Sequence, residues 1–240
     1  MTPRRPSLHP TLVLFLGLAT ATFAGEAPAT HDFLAESAVD FRTLLAAPPD
    51  PASIVARGEQ DLMRNLQKAR TAEDVATARY YEKLNALIFM APVLGPWCTA
   101  ENLPRTAAVF EQVRREVRPT IEAAKKNWDR KRPYLFDPTL EPVVERPKNT
   151  SYPSGHSYDA AIYATLLTVV LPEHAADWQA QAARVRWSRV VGGAHYPSDT
   201  MAGAILGEAV ARKMLESPKL QQALEEVRAE LRAARLKQAA

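Results

Sequence analysis

The chain has 240 residues, 47% hydrophobic and 24% charged, enough for one well-buried domain and unlike the composition of disordered segments. Its formal charge is +3, and without Arg4 and Arg5, which lie in a segment expected to be removed, 28 basic residues face 27 acidic ones. That near-balance argues against a nucleic-acid partner, so any attraction for anions has to be local.

In chain order, residues 1–24 read as a signal peptide. Arg4 and Arg5 form the positive start, 12–18 (LVLFLGL) the short apolar core, and cleavage is expected after Ala21 or Ala24. Residues 25–240 then form the mature domain, exported to the periplasm or secreted. The two later apolar runs, 86–97 and 160–171, are 12 residues each. A span needs about 20, so no integral membrane span is expected in the mature chain. Cys98 is the only cysteine, which leaves no intrachain disulfide, and it reads as a small core or surface residue rather than a nucleophile.

Apolar residues recur at three- and four-residue spacing over 53–69, 72–91 and 105–129, and Pro119 is expected to kink or divide the third helix. The Pro-containing stretch 134–152 is the longest irregular segment, and such loops inside compact domains are often functional. Helices follow at 154–171, stopped by Pro172, and at 173–191, closed by Gly192-Gly193 as a C-cap. Two more run over 197–215 and 217–238; in the last, Glu225, Glu226, Arg228 and Glu230 read as a solvated face. No strand alternation and no repeat appears, so the expected architecture is an all-α, single-domain helical bundle.

Three clusters carry the chemistry. Ser154-Gly155-His156 precedes an apolar helical run, and unsatisfied N–H groups and the dipole make a helix start an anion site. Gly155 lets a backbone N–H approach an oxyanion, and Ser154 either donates its hydroxyl or serves as an ordinary N-cap. His195 stands just before a helix starting near Pro197, with Asp199 in its first turn. That carboxylate can fix the tautomer of the imidazole and leave its other nitrogen as a nucleophile, unless the two form a merely structural pair. Arg189 ends the preceding helix, and the Gly-Gly turn can fold it toward His195. Lys125 precedes Arg132-Pro133 by seven residues, with the proline expected to end a helix and aim the guanidinium inward; composition leaves open whether Lys125 or Lys126 points into a pocket.

The spacing Lys125, six residues, Arg132-Pro133; then Pro153-Ser154-Gly155-His156; then Ser188-Arg189, five residues, His195, three residues, Asp199 resembles the signature of the type-2 phosphatidic acid phosphatase superfamily, shared with vanadium haloperoxidases. All eleven fixed positions are present, within Lys125 to Asp199, and with Tyr152 directly before Pro153-Ser154-Gly155-His156 the chain resembles the class A bacterial non-specific acid phosphatases. The resemblance implies a broad-specificity acid phosphatase acting on small phosphate monoesters. Lys125, Arg132 and Arg189 would grip the phosphoryl oxygens, with Ser154 and the Gly155 N–H completing the cradle. His195, oriented by Asp199, would form a phosphohistidine, and His156 would protonate the leaving group and then activate water. His195 would be neutral and His156 protonated, giving a bell-shaped pH profile with an acid-side optimum. Three cations supply what a metal would, so neither metal nor other cofactor is expected, and turnover should resist chelators and be inhibited by vanadate.

The competing readings are a lipid phosphate or polyprenyl diphosphate phosphatase of the same superfamily, a vanadate-dependent halide oxidation, and a non-catalytic phosphate-binding protein. Asn149-Thr150-Ser151 matches a glycosylation acceptor and is read as a chance match. The oligomeric state, a homo-oligomer included, is left open.

Overall fold

The computed structural model describes residues 1, 32–34 and 38–239; the expected signal peptide, apart from Met1, lies outside them. The described residues form helices and connections with no strand. In order these are α1 (Phe41–Leu44), α2 (Ile54–Ala69), α3 (Ala72–Tyr80), α4 (Ala86–Leu94), α5 (Pro104–Trp128), α6 (Pro133–Phe136), α7 (Gly155–Val170), α8 (Ala175–Val191), α9 (Pro197–Met214) and α10 (Pro218–Ala239), with short 3-10 turns at Tyr81–Lys83 and Pro172–His174. The all-helical expectation holds.

The apolar helix α7 is the axis of the bundle, buried along nearly its whole length from Ser157 to Val170. A helix that is apolar all round must be enclosed by others, and α7 packs chiefly on α9 and α8 and also on α4, α5 and α10. Phe89 of α4 and Phe110 of α5 meet the ring of Tyr163 edge-on at 5.8 and 5.7 Å. Its closest approach is to α9, where Gly203 and Gly207 lie one turn apart. A Cβ at either would stand 2.3 Å from a backbone oxygen of the other segment, Ser154 O and Tyr158 O respectively. Only glycine fits there, and the fit brings the start of α7 against the start of α9, where Ser154 N donates to Asp199 O at 2.9 Å.

Three local expectations are corrected. The single helix expected over 72–91 breaks after Tyr80, because extended Asn85 caps a new helix by accepting from Ile88 N at 2.9 Å. The helix through Pro119 is neither divided nor ended: Pro119 lies on its exposed face, where water can take the freed carbonyl, while Val113, Val117, Ile121 and Ala124 anchor the buried side. Pro133 does not end that helix either. α5 stops at Trp128, with Asp129 at φ 45° in the left-handed region, and Pro133 opens the short α6.

Candidate active site

Lys125 sits in the last turn of α5 and is 4% exposed, whereas Lys126 faces solvent. Arg132 lies just before α6, Gly155 and His156 open α7, and Arg189 is in the last turn of α8. The turn after α8 closes with Gly193 at φ 80°, a conformation suited to glycine. It folds back so that Ala194 N and His195 N both donate to Arg189 O, at 3.1 and 3.2 Å. His195 thereby returns to Arg189, and Asp199 follows in the first turn of α9. The structure brings all eight expected residues to one place: Lys125, Arg132, Ser154, Gly155, His156, Arg189, His195 and Asp199. Lys125, Arg132, Arg189 and His156 all act electrostatically on His195.

The cations are held in different ways. Lys125 Nζ donates to Thr150 O at 2.8 Å. Arg132 uses all five of its donors: Nε to Asn149 O (2.8 Å), Nη1 to Ala194 O (2.9 Å) and His195 Nε2 (3.1 Å), and Nη2 to Asn149 Oδ1 (2.6 Å) and Thr150 O (3.3 Å). Arg189 is 1% exposed, yet its Nε and Nη1 find no partner among the described residues. A buried guanidinium with unused N–H groups has the chemistry to bind an anion. Open space lies beside Gly155, where an added Cβ would meet nothing within 4 Å. Ser154 acts as the N-cap, its Oγ accepting from Ser157 N and Ser157 Oγ.

Burial and mutual repulsion lower the proton affinity of the whole group. Lys125 falls to about 7, through burial and then Arg132, and Arg189 falls to about 10 for the same two reasons. His195 lies well below its ordinary value through burial and then Arg132, Lys125 and Arg189. His156 falls to about 3 through burial and then Arg189. The two histidines were expected to diverge; instead both are neutral, because burial and the neighbouring cations disfavour a proton on either ring. Neutral His156 donates Nε2–H to the Glu82 carbonyl at 3.1 Å, which leaves Nδ1 as its lone pair. The Cys98 thiol is pushed up to about 11 by burial, in keeping with a structural role.

The His195–Asp199 relation is less direct than the spacing suggested. His195 Nδ1 stands 3.4 Å from Asp199 Oδ2 and equally 3.4 Å from Ser151 Oγ, and Ser151 donates its one hydroxyl proton to Asp199 Oδ2 at 2.5 Å. Ser151 can then only accept from His195, so Nδ1 carries the proton and Nε2 the lone pair. Ser151, Arg130 and Glu59 join this network and were not expected from the sequence. Asn149, Thr150 and Ser151, read as a chance glycosylation match, instead supply acceptors for Arg132 and Lys125 and a bridge to Asp199. The long 134–152 segment thus serves the site, as its length suggested.

An all-helical domain with two neutral histidines among three buried cations suits phosphoryl chemistry. Residues 117–221 match the PAP2 superfamily. An acid phosphatase of Zymomonas mobilis is 28% identical over 204 residues, covering 80% of this chain and 75% of that protein. A non-specific acid phosphatase of Salmonella typhi is 29% identical over 232 residues, covering 92% and 91%. One of Salmonella typhimurium is 40% identical over 117 residues, 45% of each chain. Among solved structures, a transmembrane PAP2 type phosphatidylglycerolphosphate phosphatase from Bacillus subtilis shares the fold, with TM-score 0.52 and 21% identity over 69% of this chain and 87% of that one. The chain carries a PAP2 superfamily domain. It is a phosphatase, a phosphoric monoester hydrolase.

Proposed function

We propose that this chain is an exported acid phosphatase of the periplasm that hydrolyses small phosphate monoesters of broad identity through a phosphohistidine on His195. The observation that carries this reading is the buried Arg189 guanidinium, whose Nε and Nη1 have no partner among the described residues, beside a histidine whose tautomer leaves Nε2 as the lone pair. A phosphoryl group entering there takes the Arg189 donors and the Gly155 N–H on its oxygens. It also takes Arg132 Nη1 from His195 Nε2, and that exchange frees the nucleophile as the electrophile arrives. His195 Nε2 then forms the P–N bond as the P–O bond to the leaving alkoxide breaks. Nδ1–H stays on the Ser151–Asp199 pair, which offsets the imidazolium charge. The incoming anion raises the proton affinity of His156, which protonates the alkoxide; the neutral ring then takes a proton from the water that attacks phosphorus and returns His195.

No helix among the described residues is long and apolar enough to cross a membrane, which favours soluble esters over embedded lipid phosphates. The purified mature protein should turn over a chromogenic phosphate ester, undiminished by chelator and suppressed by vanadate. The His195→Ala variant should lose at least about a thousandfold in kcat. Chelator-sensitive turnover, or turnover that survives His195→Ala, overturns the mechanism, and a preference for phosphatidate over soluble esters overturns the substrate assignment. Export predicts protein recovered from the periplasm with its N-terminus just after Ala21 or Ala24.

A further inference from the structure

Asp199 is fully buried, and its carboxylate is held on both oxygens. Oδ2 accepts from Ser151 Oγ at 2.5 Å and Tyr196 N at 2.9 Å, and Oδ1 accepts from Arg130 Nη1 at 2.6 Å. Arg130 is itself fixed at every end. Its Nη1 also reaches Ser198 Oγ at 2.8 Å, its Nη2 donates to Glu59 Oε2 at 2.7 Å, and the guanidinium lies 4.1 Å from the centre of the Tyr196 ring. Glu59, buried on α2, closes the circuit by accepting from Ser198 N at 2.7 Å through Oε1.

We propose that Arg130, clamped by Glu59, is a positioning residue for the phosphoryl transfer: it locks the Asp199 carboxylate, and through Ser151 it keeps His195 in the tautomer that attacks. This rests on the phosphohistidine reading above. The reasoning is geometric. His195 Nδ1 reaches Asp199 only at 3.4 Å and shares that contact with Ser151, so once Arg132 Nη1 leaves Nε2 for the phosphoryl group the tautomer is set by where the Ser151 hydroxyl proton points. That proton points at Oδ2 only while Oδ2 stays in place. Carboxylate rotation about its bond to Cβ is soft, and Arg130 is the charged group that anchors Oδ1. Without that anchor, the Ser151 hydroxyl can turn to donate to Nδ1. The imidazole proton then moves to Nε2, and the nucleophilic lone pair is lost. Stability is a weak rival explanation, since apolar replacement of a buried ion pair is often neutral or stabilising.

That same fact supplies the test. The Arg130→Met/Glu59→Met double variant removes the Arg130–Glu59 pair as a unit, while Asp199 loses the guanidinium on Oδ1 and keeps Ser151 Oγ and Tyr196 N on Oδ2. Its melting temperature and its kinetics on a chromogenic phosphate ester are measured beside Arg130→Lys and His195→Ala. The double variant should fold, keep its KM, and lose on the order of a hundredfold in kcat, the penalty of a misplaced reacting group. Arg130→Lys keeps the charge but lacks the fork that grips Asp199, Ser198 and Glu59 at once, and should lose kcat at unchanged KM even if the double variant does not fold. Parental kcat in a folded double variant, or in Arg130→Lys, overturns the proposal, as does a loss carried by KM, which would place Arg130 in substrate binding. Turnover surviving in His195→Ala marks failure of the underlying mechanism instead.

Discussion

Among the described residues, buried Arg189 has no partner for two of its nitrogens, and a bound anion would offset the cost of desolvating them. Arg189 repels Arg132 and disfavours a proton on either histidine, and its own proton affinity drops to about 10 through burial and Arg132. The physics therefore separates stability from activity at this residue. Arg189→Met should raise the melting temperature of the ligand-free protein, because an apolar side chain of similar length carries no desolvation cost. The same variant should lose at least about a hundredfold in kcat/KM, the scale for removing one preorganised donor. Thermal unfolding and steady-state kinetics on one preparation check both halves, and a variant that is less stable and still active would remove Arg189 from the anion site. Arg189 was legible from its spacing to His195, since the glycine turn between them has few ways to fold. Ser151 was not: its role comes from the hydroxyl standing between Asp199 and His195, a juxtaposition of segments 44 and 48 residues apart that no local pattern encodes. Arg130 was hidden differently, inside the run KKNWDRKR, which by composition looks like a solvated basic face.

At the scale of elements, the site depends on how closely α7 and α9 approach. The helices themselves were readable because their apolar periodicity is long and regular. What periodicity could not give was the break at Asn85, where a single side-chain cap outweighs continuing propensity, or the passage of α5 through Pro119, which depends on which face that residue presents. Nor could it give the contact at Gly203, which read only as one of several small residues. A methyl group at Gly203 would meet Ser154 O at 2.3 Å. The obstacle is backbone, so no side-chain rotation relieves it and the helices must part. Gly203→Ala should cost about 1–3 kcal/mol or more in stability and lower kcat, because Ser154 N bonds Asp199 O across that seam and would move away from it. Gly58→Ala is the matched control. Gly58 is exposed on α2 with nothing within 4 Å of its Cβ position, so alanine there should raise stability by up to about 1 kcal/mol through helix propensity. If both substitutions shift the melting temperature in the same direction, close α7–α9 packing is not what Gly203 provides.

For the whole molecule, gathering the site in one buried place couples folding to pH. Lys125 has a folded value of about 7 against an ordinary 10.5, so its penalty grows as pH falls from 10.5 toward 7. His156, lowered from 6.5 to about 3, and His195, lowered well below 6.5, add theirs as pH falls below 6.5. In each case the unfolded chain binds the proton that the folded chain refuses, so stability is lost toward acid. Asp159 works the other way: burial raises it from 3.8 to about 6, and its contribution is lost as pH rises through that window. One carboxyl against two histidines and a lysine leaves the balance with the cations. The ligand-free protein should therefore melt at progressively lower temperature between about pH 9 and about pH 5. An anion in the cradle reverses the sign of the local field, raises the proton affinity of Lys125 and both histidines, and so removes the reason for the slope. Inorganic phosphate at about a hundred times its dissociation constant should stabilise by about 2.7 kcal/mol and flatten the pH dependence, while Arg189→Met shows little of either effect. Calorimetry of the parent and Arg189→Met across that range, with and without phosphate, reads the result directly. A ligand-free slope near zero would mean that burial does not keep these groups neutral, and equal phosphate stabilisation in the variant would place the anion somewhere other than beside Arg189.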